Sequence, residues 1–327
     1  MYCMRKTICP GRHRPSHEGI ALLMVLWILT ILMVLALSFS FMVRTEKNST
    51  LSFKNRVEGK FLAEAGIARG IMEIFYRNQY KDQSVEFEET KVWKTDGTPY
   101  TGSLGNGSYS VKITDESGKV DINSASDVVL KNLLVNIGVP AEEADVIVDS
   151  VMDWRDPDDL HRLNGAEDDY YLSLLNPYKA KNDNFDTLEE LILVRGVTYE
   201  VLYGTDERQG ILDFLTVNSR TQTINVNAAS KEVLMAIPGM TPEIADSILT
   251  FRESKEIFSV QEIQGLLGAE VSFMLPYMST ENSNAFSIAS VGYKGEEAGY
   301  GVKAVVSIMN FDELKYLYYK SPAVVTR

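Results

Sequence analysis

The hydrophobic pattern of the chain begins with an uncharged, mostly apolar run, Ile20 to Val43, directly after Gly19. At about 1.5 Å per residue this run makes a helix of about 36 Å, which is enough to cross a hydrocarbon layer of about 30 Å. Apolar residues return at helical spacing after Lys60, at Phe61, Ala65, Ala68, Met72 and Phe75. The pattern predicts one helix to about Arg77, which spans a membrane and then lays an apolar stripe on a sheet.

Alternating apolar positions predict strands over Val85 to Trp93 and Gly107 to Ile113, with turns at Asp96 to Pro99 and Gly105 to Gly107. Three further strands are predicted near the C-terminus, at Phe286 to Tyr293, Gly301 to Met309 and, as a possible edge, Lys315 to Tyr319. A long helical block, 121–278, separates the two strand groups. The predicted fold class is α+β, in which a long N-terminal helix packs on a small antiparallel sheet that carries an inserted α domain.

The helical block contains an internal repeat. The segment DINSAS (Asp121 to Ser126) recurs as NVNAAS (Asn225 to Ser230). Further matches pair Leu130 with Leu234, Gly138 with Gly239, Ala144 with Ala245 and Ile147 with Ile248. Ser126 and Ser230 suit helix N-caps, the two glycines suit helix ends, and Pro140 and Pro242 suit the start of the next helix. Each copy is therefore predicted to be a helix-hairpin-helix.

Charge and cysteine content narrow the range of possible functions. The formal net charge is −13, and a chain starting at Ile20 would carry −16, which disfavours a phosphate-rich partner. The two cysteines, Cys3 and Cys9, precede Gly19, so a chain cut there would have no disulfide, Zn–thiolate site or cysteine nucleophile. His161 would be its one histidine, and we find no G-x-S-x-G, Walker or dinucleotide glycine pattern. We expect no enzymatic activity.

The most acidic segment is DWRDPDDLHRLNGAEDDYY, Asp153 to Tyr171. Its acids crowd around a turn at Asn164-Gly165, which raises carboxylate pKa values unless a cation relieves the repulsion. An oxygen-rich donor set with flexible spacing suits Ca²⁺ better than Zn²⁺, although the EF-hand spacing is missing. On composition alone, a solvated acidic loop remains the favoured interpretation.

The N-terminus has the features of a processed anchor. Arg5, Lys6, Arg12 and Arg14 form a positive flank, and the far side of the apolar run lacks a small-residue cleavage site. A basic leader, Gly19 and an apolar helix resemble the type IV prepilin signal, which is cut between Gly19 and Ile20. Pilins usually carry Glu at the position of Met24. In lacking this Glu, the chain resembles protein K of type II secretion systems. An ordinary signal anchor is the alternative.

The acidic segment carries the same resemblance. The motifs DW-x-D-x-D, GAEDDYY, NPY and LEELILVRG occur in order between Asp153 and Gly196 and resemble the inserted domain of protein K, where calcium ions bind. The resemblance implies structural Ca²⁺ and the following ligand candidates: Asp153, Asp156, Asp158, Glu167, Asp168, Asp169 and Asn184.

The resemblance implies a five-part chain: a leader (1–19), the transmembrane part of the helix (20–43), the rest of the helix and first strands (44–120), an inserted α domain (121–282) and C-terminal strands (283–327). It further implies a minor pseudopilin at the tip of the type II secretion pseudopilus, which helps to start pseudopilus assembly and export across the outer membrane. Expected partners are minor pseudopilins I and J, through them the major pseudopilin, and the prepilin peptidase. The expected location is single-pass in the inner membrane with a periplasmic body and a methylated mature N-terminus.

Two other classes remain open. The segment Ile237 to Glu253 resembles DNA-binding helix-hairpin-helix motifs, so the main alternative is a pilin-like DNA-uptake subunit. Against it, Thr241 stands where such hairpins have a second glycine, and acids outnumber bases nearby, so we expect no nucleic-acid partner. The third class is a membrane-tethered, Ca²⁺-dependent adhesin or sensor that keeps its leader.

Overall fold

The structure is a computed structural model that describes residues 18–80, 92–268, 271–295, 299–310 and 313–325. The chain divides into two compact units, 1–57 and 58–327. The predicted leader and both cysteines lie outside the described residues, apart from the backbone of residues 18 and 19.

The helices are α1 Glu18–Tyr80, α2 Asp127–Asn136, α3 Ala141–Arg155, α4 Asp168–Leu172, α5 Tyr199–Tyr203, α6 Lys231–Met235, α7 Pro242–Ser254, α8 Gln264–Leu267 and α9 Val271–Met274. The strands are β1 Asp96–Leu104, β2 Gly107–Asp115, β3 Val120–Asp121, β4 Leu215–Thr216, β5 Ile224–Asn225, β6 Met278–Ser279, β7 Ala285–Tyr293, β8 Tyr300–Asn310 and β9 Glu313–Lys320. Short 3₁₀ turns occupy 116–118, 188–193, 211–213, 260–263 and 275–277.

In the first unit, the described residues belong to α1, and the apolar side chains from Ile20 to Phe53 are exposed. By length and composition, α1 is the one helix of the described ranges that could cross a membrane. The predicted helix to about Arg77 is confirmed and ends three residues later, at Tyr80.

The second unit contains the predicted antiparallel sheet, with strand order β1-β2-β7-β8-β9. The strand predictions for β2, β7, β8 and β9 are confirmed to within a few residues. The prediction around β1 was wrong. Residues 85–91 lie outside the described residues, Val92 and Trp93 are not in a strand, and the predicted turn at Asp96 to Pro99 lies inside β1. The β1–β2 register is irregular between Asp96 and Pro99, and an edge strand tolerates a proline because its missing N–H removes no ladder bond.

The helix lies on the sheet through a different face from the one predicted. Phe61 and Met72 are each 62% exposed, whereas the buried positions are Leu62, Ala63, Ile67, Ile71 and Ile74. Glycines on this buried face allow a close approach: a Cβ on Gly66 would collide with Ser290, and one on Gly70 would lie 3.0 Å from Ile288 Cγ2. The close approach of the α1 backbone to the sheet therefore determines which face of α1 is buried. The positions of the largest apolar side chains indicated a different face.

The helical region is inserted between β2 and β7, which pair with each other from Ser108 with Tyr293 to Asp115 with Phe286. Its own hydrophobic core contains residues from Val120 to Met278. Two short parallel ladders, β3 with β4 and β5 with β6, lie within it. The sequence predicted the helices and did not predict these ladders.

Buried polar groups tie the start and end of the insertion to the sheet. Asp115 Oδ1 accepts hydrogen bonds from the amide and hydroxyl of both Ser117 and Ser283, at 2.6–3.0 Å. Glu116, only 2% exposed, accepts from Lys119 Nζ, the Ser287 hydroxyl and the Thr216 hydroxyl. Both carboxylates are buried, and each accepts hydrogen bonds from several donors. These bonds fix the geometry of the junction.

Candidate functional site

The predicted repeat is present in atomic detail. Ser126 Oγ accepts from Val129 N in one copy, and Ser230 Oγ accepts from Val233 N in the other. Both hairpin glycines have left-handed φ values, 92° at Gly138 and 84° at Gly239, which a side chain would strain. The caps and hairpin glycines confirm that the two copies are folded by the same local rules.

Contacts between distant segments also repeat. The side chain of Asn123 donates to Phe185 O at 3.0 Å and accepts from Phe185 N at 2.8 Å. The side chain of Asn227 makes the same pair of bonds with Ile257, at 2.8 and 2.9 Å. Each asparagine therefore joins the start of its copy to the segment that follows the second helix of the pair.

In each copy an arginine side chain binds two backbone carbonyls near the start of that copy. Arg155 donates to the carbonyls of Ile122 and Ala125, and Arg252 donates to the equivalent carbonyls of Val226 and Ala229. Burial lowers the pKa of both arginines, yet each keeps two carbonyl acceptors. Exposed ion pairs, Lys131 with Asp145 and Lys231 with Asp246, link the two helices of each copy.

The copies differ in one connection. The chain uses residues 156–184 between Arg155 and Phe185, but only residues 253–256 between Arg252 and Ile257. The longer connection contains α4 and all of the predicted metal ligands except Asp153, which precedes it. We call residues 156–184 the acidic insertion.

An aromatic cluster holds the acidic insertion against α3. Tyr171 is fully buried, with its ring centroid 5.3 Å from Trp154 in an edge contact and 5.2 Å from Tyr178. Arg195 packs 4.9 Å over the Tyr170 ring and donates to Gly165 O at 2.8 Å. These contacts fix both ends of the turn that brings Glu167 next to α3.

Asp153 shapes that turn. Its carboxylate is fully buried and accepts from the Arg162 amide at 3.2–3.3 Å. A Cβ on Gly165 would collide with the same carboxylate, so the close approach requires glycine at this position. Burial and then the charge of Asp156 raise the pKa of Asp153 despite these bonds.

Four buried oxygen atoms near this turn have no hydrogen-bond donor among the described residues. They are Asp156 Oδ1, both carboxylate oxygens of Glu167 and Asn182 Oδ1. Asn182 has a left-handed φ of 48°, and its amide nitrogen donates to Asp159 Oδ1 at 2.9 Å and to Asp158 O at 3.3 Å. Burying acceptors without donors costs free energy. A positively charged ligand would supply the partner that these four oxygen atoms lack.

Repulsion among the acids is strongest at Glu167. Burial, followed by the charges of Asp153, Asp156, Asp159 and Asp158, raises the pKa of Glu167 to about 7. Burial, and then Asp158, also raises the pKa of Asp156. The structure therefore brings Asp153, Asp156 and Glu167 into one electrostatic neighbourhood, with Asp158 and Asp159 at its exposed side.

The remaining predicted ligands either have other partners or are exposed. Asp168 accepts from Lys179 Nζ at 2.6 Å and from Ala180 N at 2.9 Å, and the Lys179 bond lowers the pKa of Asp168. Asp169 is exposed and pairs with His161 Nε2 at 3.0 Å. Asn184 is exposed as well.

Asn182 is the residue of this neighbourhood that sequence reasoning missed, and Asp159 was counted among the crowded acids but not among the ligand candidates. A signal for Asn182 was present, because asparagine is the non-glycine residue that most readily adopts the left-handed turn required there. No group of three or more His, Cys, Asp and Glu side chains is gathered as a metal site within the described ranges. The orphaned oxygens nevertheless fit a hard divalent cation, which binds carboxylate and amide oxygens together.

The fold class is α+β and pilin-like: a long N-terminal helix packs on an antiparallel sheet, and a duplicated helix-hairpin-helix region is inserted between two paired strands. Residues 110–204 match the family model for type II secretion system (T2SS) protein K, and residues 219–266 match that for the helix-hairpin-helix motif. The chain is similar to type II secretion system protein K, so the resemblance predicted from its sequence is confirmed.

Individual proteins are similar over most of the chain. Type II secretion system protein K of Pseudomonas aeruginosa is 26% identical, covering 85% of this chain and 86% of the relative. The Klebsiella pneumoniae protein of the same name is 24% identical and covers 76% of both. The fold is similar to a chain in the crystal structure of the GspK-GspI-GspJ complex from the enterotoxigenic Escherichia coli type 2 secretion system. The TM-score is 0.59 at 19% identity, and the match covers 85% of this chain and all of that one.

Proposed function

We propose that the chain is a minor pseudopilin at the tip of a type II secretion pseudopilus, where it helps to start pseudopilus assembly and protein export across the outer membrane. The observation that carries the proposal is the combination of α1, the five-stranded sheet and the helical insertion between β2 and β7, in a chain whose relatives are named type II secretion system protein K. The role follows from assembly geometry. A bulky insertion obstructs neighbours inside a helical shaft and is accommodated at its end.

The N-terminal helix supports the same position. Pilin-type subunits use an acid near the start of the apolar helix to neutralise the terminal amine of a neighbour, and this chain has Met24 there. An unpaired charge is costly in a bilayer, so a subunit without the acid serves best where no further subunit stacks on it. The proposed anchor is residues 20–43 in the inner membrane, with the body in the periplasm, after cleavage following Gly19 and methylation.

The proposed partners are minor pseudopilins I and J, and through them the major pseudopilin. The similar solved fold comes from a complex that contains proteins of those names. Ca²⁺ is proposed as a structural ion held by Asp156, Glu167 and Asn182, with Asp153 holding the turn. It would neutralise the acidic insertion and thereby fix the loop against α3.

Three measurements test the proposal. N-terminal sequencing of the full chain, co-expressed with a prepilin peptidase, should give a start at Ile20, and a retained leader would contradict a pseudopilin and favour a plain membrane-tethered protein. Co-purification of the full chain with I and J from membranes should recover a stable complex. Localisation along the sides of filaments would overturn the tip position.

The helix-hairpin-helix match at 219–266 makes DNA uptake the alternative to test. In α7 the N-terminal amides that would hold a phosphate already have acceptors: Thr241 Oγ1 accepts from Ile244 N. The backbone amide of Glu243, then the Thr241 hydroxyl, holds the pKa of Glu243 below its usual value. A carboxylate therefore occupies the anion position. Retardation of DNA by the full chain at low salt would favour the alternative function.

A further inference from the structure

Both helical copies continue into a 3₁₀ turn that repeats in detail. In the first copy, Glu190 Oε1 accepts from the backbone amide of Asp186 at 3.1 Å. In the second copy, Glu262 Oε1 accepts from the backbone amide of Phe258 at 3.2 Å. The two turns therefore correspond residue by residue.

The short parallel ladders also end in the same way. Asn218 N donates to Thr216 Oγ1 at β4, and Glu281 N donates to Ser279 Oγ at β6, both at 3.0 Å. In each copy a groove lies between this ladder end and the 3₁₀ turn. Matching residues line the two grooves: 186–189, Leu212 and 215–218 in the first copy, and 258–261, Leu275 and 278–281 in the second.

The groove of the first copy is covered by the sheet. Residues of β8 and β9 complete its lining and leave a cavity of 430 Å³, and the Tyr318 hydroxyl of β9 donates to Glu189 Oε1 at 3.4 Å. Lys303 and Lys320 come from the strands, and Asp186 and Glu189 come from the turn. The strands that cover this groove and the turn that borders it therefore carry opposite charges.

The groove of the second copy, of 370 Å³, is not covered in this way. No strand of the five-stranded sheet lines it in the part of the chain that the structure describes. Phe258 and Gln261 occupy the positions of Asp186 and Glu189, and Glu281 is the one charged residue among its described lining residues. The second groove therefore lacks the two acids that border the first.

Phe258 is positioned at this groove by contacts within its own copy. Its ring is 64% exposed and has Lys255 Nζ 5.8 Å from its centroid, and Lys255 pairs with Glu262 at 2.8 Å. Thr280 Oγ1 donates to Phe258 O at 3.1 Å and joins the two sides of the groove. Because the ring is already in place, little ordering is required before a partner buries it.

We propose that the groove of the second copy binds an edge strand from the β-sheet of a partner protein. The first copy supplies the precedent for this occupant, because there the matching groove is covered by β9, a strand at the edge of a sheet. The partner strand carries aromatic and aliphatic side chains opposite Phe258 and Gln261, where the first copy has acids. This inference goes beyond the pseudopilin role and does not depend on it or on the acidic insertion.

The probe is a fluorescein-labelled, disulfide-closed β-hairpin. One strand carries residues 314–320 of β9 with the change Lys320→Val, and the other strand is polar and keeps the hairpin soluble. Fluorescence anisotropy measures its binding to the full chain in lipid nanodiscs, with empty nanodiscs as the blank. Saturable binding, at least about fivefold tighter than that of a hairpin that retains Lys320, is expected because an apolar side chain packs on Phe258. No saturable binding, or binding no tighter than that of the lysine hairpin, would overturn the proposal.

Variants locate the binding site. Phe258→Asp, which introduces the residue of the first copy, should weaken binding of the apolar hairpin by about tenfold. Phe273→Asp is the matched control and should bind normally, because Phe273 is also 64% exposed and lies outside the groove. Unchanged binding to Phe258→Asp, or an equal loss in both variants, would contradict the site.

A double variant tests the specificity of the groove. Phe258→Asp combined with Gln261→Glu reproduces the two acids of the first copy and should shift the preference to the lysine hairpin. Gln261→Glu alone keeps Phe258 and should narrow the preference for the apolar hairpin. A preference that neither variant alters would show that the hairpins bind elsewhere, even if the double variant proves unstable by thermal melting.

Photo-cross-linking separates a partner strand from other occupants. Gln261 is replaced by p-benzoylphenylalanine in the full chain, which is expressed in cells that carry the secretion system, and cross-linked peptides are identified by mass spectrometry. A cross-link to an edge strand of another protein is the expected result. Cross-links confined to a second copy of this chain or to lipid, or the absence of any cross-link, would contradict the proposal.

Discussion

The two helical copies of the inserted region use the same frame for different purposes. Each has a serine cap, a glycine hairpin, an asparagine that binds a distant backbone segment and an arginine on two carbonyls. One copy closes with residues 253–256, and the other places the acidic insertion in that connection. The comparison shows that the short copy needs no acidic cluster to fold. The orphaned oxygens of the long copy are therefore a property of the inserted connection and not of the scaffold.

The largest expected effect comes from the aromatic cluster that only the long copy has. Tyr171→Ala should lower the free energy of unfolding by about 3–5 kcal/mol, because it removes a fully buried ring that packs on Trp154. Urea unfolding of the full chain in detergent, followed by near-UV circular dichroism, measures it. The control Leu175→Ala, at a side chain 97% exposed in the same insertion, should change stability by less than about 0.5 kcal/mol.

The asparagine bonds test whether the frames are equivalent. Asn123→Ala and Asn227→Ala should each lower the free energy of unfolding by about 1–3 kcal/mol, because each leaves a backbone N–H and C=O without its partner. The same urea titration compares them, with Asn176→Ala, an exposed asparagine, as the control. A loss at Asn123 alone would mean that the short copy is closed by other contacts.

The third prediction concerns pH and depends on Glu167. Its folded pKa of about 7 lies above its ordinary value, so between about pH 4.5 and 7 the folded state holds more protons than the unfolded state. Without divalent cations, the thermal midpoint should therefore fall as pH rises through that window and level off above about 7. Ca²⁺ should remove the decline by stabilising the ionised carboxylate, with tighter binding at pH 8 than at pH 6.

Glu167→Gln is the matched variant for the pH experiment. It should flatten the cation-free pH profile and abolish most of the stabilisation by Ca²⁺, measured by differential scanning calorimetry with Mg²⁺ as the ionic-strength control. An unchanged pH slope in the variant would show that another group titrates. Unchanged Ca²⁺ stabilisation would exclude the site at this turn.

The smallest effect is expected at the exposed ion pairs that the two copies share. Lys131→Met and Lys231→Met should each cost no more than about 0.5 kcal/mol, because both lysines are more than 40% exposed and water screens the pairs. Urea titrations at low and high salt check this. A loss in one copy several times that in the other would break the equivalence of the frames.

Local features were predictable from the sequence because they depend on local physics. Ser126, Ser230 and the hairpin glycines are visible in short segments, and each occupies the predicted position. The buried face of α1 was not predictable in this way. A hydrophobic pattern gives weight to large side chains such as Met72, whereas the packing depends on the absence of a side chain at Gly66. The partners of Asn123 and the environment of Asn182 depend on residues tens of positions away, which no local pattern reveals. The whole ligand set therefore stays a prediction: Asp153, Asp156, Asp158, Glu167, Asp168, Asp169 and Asn184.

The polar junction at Asp115 and Ser283 has a topological consequence. Because β2 and β7 are adjacent, antiparallel and in continuous register, the entire helical region is formally the loop of one β-hairpin. The sheet would keep its strand order if a short turn replaced that loop. Such an architecture lets the size and chemistry of the loop change freely during evolution, while α1 and the sheet keep the same contacts with each other.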